Sequence, residues 1–263
     1  MTTYQNILTE TDAGVGIVTL NRPERHNAFD DTMIAELADA MQRMAEDAAV
    51  RLVVISSTGR SFCAGADLNW MQRAAGYSLE QNQRDAGELA EMLLRVSECP
   101  KPVIARVQGP AYGGGVGLVA ACDMTVATFE TRFSLTEVKL GLIPAVISPH
   151  VISAIGERYA RRYMLTAEAF SAAEAYRIGL IHEMVADEAG LDEAVGEWVD
   201  ALLKNGPHAL AECKTLIRNV SGRPLVQKVV DYTVERIAHV RVSPEGQEGL
   251  GAFLQKRKPN WVG

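Results

Sequence analysis

Leu52-Val-Val-Ile55 is an unbroken aliphatic, mostly β-branched run between Arg51 and Ser56. A strand with no polar face must be covered on both sides, the condition of a parallel strand inside a layered α/β domain. Val103–Val107 reads as a strand ending at QGPAYGGG, and Thr125–Ala127 as another short strand. Tyr4–Leu8 and Gly16–Leu20 read as two further strands, separated by the turn composition Thr-Asp-Ala-Gly. Between the strands lie helical patterns. Asp30 and Asp31 offer N-caps to a helix with Ile34, Leu37, Ala38, Met41 and Met44 at helical spacing. Leu79–Val96 is a second helix, and Gly115–Ala121 reads as a buried helix of small residues. Alternating strands and helices predict an α/β fold with a largely parallel sheet.

Beyond residue 150 the pattern turns helical, over Ala154–Met164, Ala172–Ile178, Leu191–Leu203, Pro207–Val220, Val226–Val240 and Pro244–Gln255. Leu180–Val185 is the one strand expected there, and no Pro-, Gly- or Ser-rich linker intervenes. A chain of 263 residues with 48% hydrophobic composition suffices for one large domain or two small ones. A net charge of −7 argues against a nucleic-acid partner held by phosphate neutralisation. The cysteines, Cys63, Cys99, Cys122 and Cys213, form no CxxC pair, which speaks against a zinc site and a disulfide framework. The opening MTTYQNILTETDAG has no basic segment followed by an apolar one, and no apolar run approaches the ~18 residues of a membrane span. The expectation is a cytoplasmic protein with no metal and no membrane partner.

Two loops carry the chemical signal. SFCAGADL (61–68) and AYGGGVGL (111–118) both follow strands and both present backbone through small residues. Glycine lets main-chain N–H groups approach a ligand, and a loop that opens a helix aims the positive end of that helix at the site. Neither loop has the spacing of a phosphate cradle. Two N–H groups aimed at one developing oxyanion remain as the functional reading, beside tight turns or close helix packing as the structural one. Glu137, in RFSLTEVKLGLIP, sits among Leu135, Val138 and Leu140. Desolvation there would raise its pKa and suit it to acid/base work; the plainer reading is a surface Glu at a helix start.

NRPERHNAF, FCAGADL, the QGPAYGGG…ACD block, TEVKLGLIP and the ending SPEGQEGLGAFLQKRKPNW together resemble the enoyl-CoA hydratase/isomerase (crotonase) superfamily over essentially the whole chain. The resemblance implies an α/β crotonase (ClpP-like) spiral of ββα units. It places the acyl-CoA-binding core in residues 1–200 and a helical trimerisation region in 201–263, in a homotrimer or a dimer of trimers. It implies an oxyanion hole from the amides of Ala66 and Gly114 and an acid/base at Glu137. CoA would lie along Arg25, Ala28 and the segment Ala64, Gly65, Ala66, Asp67 and Leu68, with Lys256 and the basic ending toward the ADP phosphates. No cofactor is implied beyond the CoA of the substrate. Asp67 also reads as the cap of the following helix.

One departure matters. Where crotonyl-type hydratases carry a first Glu, this chain has Gly117. The expectation drawn from it is space for a water or for a branch at the substrate's Cβ. FCAGADLNWMQ, YGGGVGLVAACDM, EVKLGLIPAVISPHVISAIGERYARRY and SPEGQEGL more closely resemble bacterial methylglutaconyl-CoA and isohexenylglutaconyl-CoA hydratases, whose substrates bear a distal carboxylate. Lys139, His150, Arg161 and Arg162 are its candidate anchors, Tyr112 and Trp70 could wall the acyl pocket, and Ser148 before Pro149 reads as an N-cap. The implied activity is hydration of a branched enoyl-CoA. Alternatives are Δ3,Δ2-enoyl-CoA isomerisation, decarboxylation, and a non-catalytic acyl-CoA- or RNA-binding protein of the same fold.

Overall fold

The structure, a computed structural model, describes residues 3–262. β1 (Ile7–Asp12) and β2 (Val15–Leu20) form a hairpin about Ala13 and Gly14, both left-handed with φ of 45° and 86°. The first strand starts three residues later, and ends four later, than the sequence suggested. It is an edge strand exposed at every position after Ile7, so no buried alternation marks it. There follow α1 (Asp31–Glu46), β3 (Leu52–Ser57), α2 (Leu68–Ala74), α3 (Leu79–Ser97), β4 (Val103–Val107), β5 (Ala111–Tyr112), α4 (Gly114–Ala121), β6 (Met124–Thr128) and β7 (Arg132–Ser134). Then come α5 (Ser148–Thr166), β8 (Phe170–Ser171), α6 (Ala172–Ile178), β9 (Glu183–Val185) and α7 (Glu188–Leu203), and last α8 (Pro207–Val220), α9 (Gln227–Val242) and α10 (Pro244–Leu254).

The chain divides into two units. The first reaches Cys99 and resumes over Val103–Glu197. Its main sheet has the order β1-β2-β3-β4-β6-β9, parallel at every pairing except β1 with β2. α1 turns Met33, Ile34, Leu37 and Met41 into the core with Val53, Ile55 and Phe29. Full burial of each such side chain stabilises by about 1.5–3 kcal/mol. A smaller sheet of order β5-β7-β8 carries the segments around the site. The strand expected over Leu180–Val185 shortens to β9, because left-handed Gly179 ends α6 and the Leu180 N–H turns back to Ala175 O. Ser148 is the first residue of α5 rather than its N-cap, and its hydroxyl donates to Ala145 O.

The second unit, Pro100–Pro102 with Trp198 onward, is helical. The Glu245 carboxylate accepts from the N–H groups of His208 and Ala209 at 2.9 and 2.8 Å, a negative charge on the N-terminus of α8. Arg257 pairs with Glu248 at 2.6 Å. Among the described residues, no helix is long and apolar enough to cross a membrane.

Candidate active site

Hydrogen bonds draw three distant segments into one place. Phe62 and Cys63 donate their N–H groups to Pro110 O, and Tyr112 N–H donates to Cys63 O, so the first glycine loop runs alongside β5. Gly113 N–H donates to Ser134 O at 2.9 Å, and β5 pairs in parallel with β7. The end of β7 thus delivers Glu137, at the head of a 3₁₀ turn, beside the second glycine loop. Gly65, at φ 89°, is packed so closely that an added Cβ would lie 2.9 Å from Tyr112 O and 3.8 Å from Gly113 Cα.

The donors follow from this interlock. Phe29 N–H donates to Gly65 O, and Asp67 N–H donates to Phe29 O, so Phe29 bridges the residues on either side of Ala66. In a parallel ladder the intervening residue turns its own N–H to the opposite side. The Ala66 N–H accordingly meets no acceptor among the described residues, and Ala66 is exposed. Gly114 is the first residue of α4, where an N–H has no intrahelical partner, and it too meets none among the described residues. The positive end of the helix dipole adds to its pull on an anion.

Glu137 is half-buried, and its Oε1 lies 3.0 Å from the point where a side chain on Gly113 would begin. Its Oε2 is buried and meets no hydrogen-bond partner among the described residues. Burial pushes the Glu137 carboxyl above its ordinary 4.5, partly offset by its own backbone N–H. A carboxyl that pays this desolvation without a compensating cation is poised to take a proton. Cys63, in the first glycine loop, is held as the thiol: burial pushes it up to about 12.

The proposed CoA-side residues fall along one interlocked stretch. Ala64 N–H donates to His26 O, and Asn27 Nδ2 donates to Thr58 O and Ser61 O. Arg25 and Leu68 are exposed, Ala64 is half-buried, and Ala28, Gly65 and Asp67 are buried. Lys256, exposed, belongs to the helical unit. Asp67 caps α2, accepting from the N–H groups of Asn69 and Trp70 at 2.8 and 3.2 Å. Trp70 is buried and donates to Asp85, a packing role, while Tyr112 is half-buried.

The candidate anchors separate. Arg161 is paired to Glu157 and Arg162 to Glu168, both on exposed surface. His150 is half-buried, and burial lowers its pKa below 6.5, which favours the neutral ring. Lys139 is exposed in the turn begun by Glu137. The space expected at Gly117 does not exist: a Cβ there would lie 2.2 Å from Ile147 Cγ2. Ile147 carries no signal in the sequence that would mark this role.

Arg22 is a second residue the sequence did not single out. Its Nη1 donates to Ala28 O and pairs with Asp30 at 2.7 Å, and its Nη2 reaches Asp67 at 3.4 Å. Asp30 caps α1 and Asp67 caps α2, so one guanidinium ties together the caps that flank the Phe29–Ala66 bridge. The signal was available as two N-cap aspartates with an arginine in NRPER. Removing the guanidinium takes the cation from both caps and leaves the mostly buried Asp67 only the Asn69 and Trp70 N–H groups, which costs roughly 2–4 kcal/mol. Arg22→Ala is expected to lower Tm by about 5–10 °C and to reduce kcat more than it raises KM. Arg22→Lys, a point charge that serves one cap at a time, should restore part of the Tm. An unchanged Tm in a thermal melt of Arg22→Ala would refute the clamp.

The profile of the Enoyl-CoA hydratase/isomerase family matches residues 10–263. A crotonyl-CoA hydratase from Syntrophomonas wolfei is 31% identical over 262 residues, spanning 98% of each chain. A peroxisomal Delta(3,5)-Delta(2,4)-dienoyl-CoA isomerase from Arabidopsis thaliana is 28% identical over 270 residues, spanning 99% of this chain and 97% of its own. The crystal structure of an enoyl-CoA hydratase from Shewanella pealeana superposes with a TM-score of 0.95 at 44% identity, covering 98% of this chain and 96% of that one.

Proposed function

The chain belongs to the enoyl-CoA hydratase/isomerase family, with its crotonase fold, and from that premise we propose that it adds water reversibly to a branched α,β-unsaturated acyl-CoA. The substrate we assign is 3-methylglutaconyl-CoA, giving 3-hydroxy-3-methylglutaryl-CoA. The observation that carries the chemistry is the half-buried Glu137, its Oε2 without a partner among the described residues, beside two main-chain donors that meet no acceptor among them. The choice of acyl chain rests on the resemblance of the four segments quoted above to methylglutaconyl-CoA hydratases.

In this reading the thioester oxygen docks on the Ala66 and Gly114 amides. As water attacks Cβ, negative charge collects on that oxygen and the fixed donors stabilise it without reorganising. Glu137 takes the proton of the attacking water. The CoA lies along Arg25, Ala28, Ala64, Gly65, Asp67 and Leu68, and the reaction draws on no cofactor beyond the CoA itself. Arg161 and Arg162 are committed to surface pairs, and we assign Lys139, exposed in the turn begun by Glu137, to the distal carboxylate. A homotrimer or dimer of trimers is part of the proposal. α9 exposes Val230, Val234 and Ile237, and α10 exposes Leu250, Phe253 and Leu254, faces that a second copy would cover. Sedimentation as a monomer would remove that part.

Loss of the conjugated enoyl absorbance, with 3-methylglutaconyl-CoA and crotonyl-CoA in parallel, tests the activity. Fast loss with the branched substrate and a product heavier by one water supports it. Isomerisation of a β,γ-enoyl-CoA uses the same two amides and one carboxylate, and the absence of a side chain at Gly117 favours it as the second reading. Deuterium exchange without added oxygen in the product would decide for it.

A further inference from the structure

Gly117 lies one helical turn beyond Gly114, and its N–H donates to Gly113 O, so it shares the end of α4 that faces the site. It is buried, as is Ile147, which is 3% exposed. Ile147 sits ten residues beyond Glu137, at the N-cap of α5, in the core cluster that also holds Val116, Leu118 and Val151. An added Cβ on Gly117 would lie 2.2 Å from Ile147 Cγ2, 2.7 Å from its Cβ and 3.7 Å from its Cα. A flexible side-chain end could swing aside. A β-branched residue is stiff at χ1, and its Cβ moves only with the backbone. The glycine and the isoleucine therefore form a matched pair: one has no side chain because the other already occupies the volume.

We propose that Ile147 is a specificity-determining residue, which fills the volume into which a side chain at position 117 would project and so gives both proton steps to Glu137. This rests on the hydration reading above. In the addition, the water oxygen bonds to Cβ, and the π pair moves toward the thioester oxygen held on the amides. The water proton passes to Glu137. As the thioester carbonyl re-forms, the pair returns to Cα and takes that proton from Glu137, so H and OH are added and the carboxylate is restored. The apolar wall supplies neither a second proton nor a second hold on the water. A site of this kind favours substrates whose own substituents position Cβ over linear ones that rely on a two-carboxylate grip.

The test moves the glycine across the contact. Gly117→Glu, Ile147→Gly and the double variant are compared with wild type in hydration of crotonyl-CoA and 3-methylglutaconyl-CoA and in thermal melts. Gly117→Glu alone is expected to lose at least 10-fold in turnover and to melt lower. The double variant is expected to lose less Tm than the sum of the singles and to hydrate crotonyl-CoA at least 10-fold faster than wild type. A folded double variant that hydrates crotonyl-CoA no faster overturns the proposal, and so does a Gly117→Glu single as stable and active as wild type. Should the charged double fail to fold, Gly117→Ala with Ile147→Gly decides: Tm losses that are less than additive support the lock, and additive losses overturn it. A wild type that hydrates neither substrate refutes the hydration reading, while the melts and the gain in the double variant still judge Ile147.

Discussion

Glu137→Gln is expected to lose about 10²–10⁴-fold in turnover, the range that one positioned acid/base supplies, while its Tm stays level or rises. The two effects have one cause. The Oε2 atom is buried without a partner among the described residues, so the ionised carboxylate bears a desolvation cost that its own backbone N–H only partly offsets. A neutral amide of the same shape escapes that desolvation. The sign of the pH dependence follows. The folded-state pKa lies above the ordinary 4.5, so the folded state binds the proton more tightly than the unfolded chain. Stability from this group is complete below 4.5 and is lost as pH rises through the folded pKa. Activity runs the other way, because a base must be ionised: turnover should climb with pH through a midpoint above 4.5. A pH–rate profile and melts of both proteins check it, and a Glu137→Gln variant that is fully active would end the assignment.

Ala66→Pro is expected to cost about 10²–10³-fold in kcat, the price of one oxyanion donor. Proline deletes an N–H that meets no acceptor among the described residues, and it removes neither hydrogen bond of the bridge to Phe29, which run through Gly65 O and Asp67 N–H. Affinity for a saturated acyl-CoA should change little, since the donor acts on charge that develops during the reaction. Circular dichroism and calorimetric titration with that ligand serve as controls. A folded Ala66→Pro with wild-type kcat would exclude this amide from the chemistry.

What could be read along the chain was what neighbours in sequence decide. β3 is legible because Leu52–Ile55 is apolar on both faces, and Asp67 because a cap acts within its own turn. Glu137 stood out from its apolar flanks, and its segment meets the two glycine loops through β7. β1 was misplaced because an edge strand with one buried residue carries no alternation. Arg22 and Ile147 escaped for a different reason. The guanidinium joins Asp30 to Asp67, two caps that each show locally while their pairing does not, and the isoleucine acts on Gly117 from another element, so each role is a relation between segments. The void imagined at Gly117 failed for the same cause: a missing side chain shows only what one residue leaves out, and the occupant came from another element.

The Phe29–Ala66 bridge has a bearing on how such a site drifts under mutation. A donor made of main chain is indifferent to which amino acid is encoded at its position, so genetic change at residue 66 is filtered weakly, with proline as the exception. The constraint is displaced onto neighbours that donate nothing: Gly65, whose Cβ would strike Tyr112 O, and Gly113, whose Cβ would crowd the Glu137 carboxylate. A saturation library should therefore map the reaction centre as a silent position ringed by intolerant glycines.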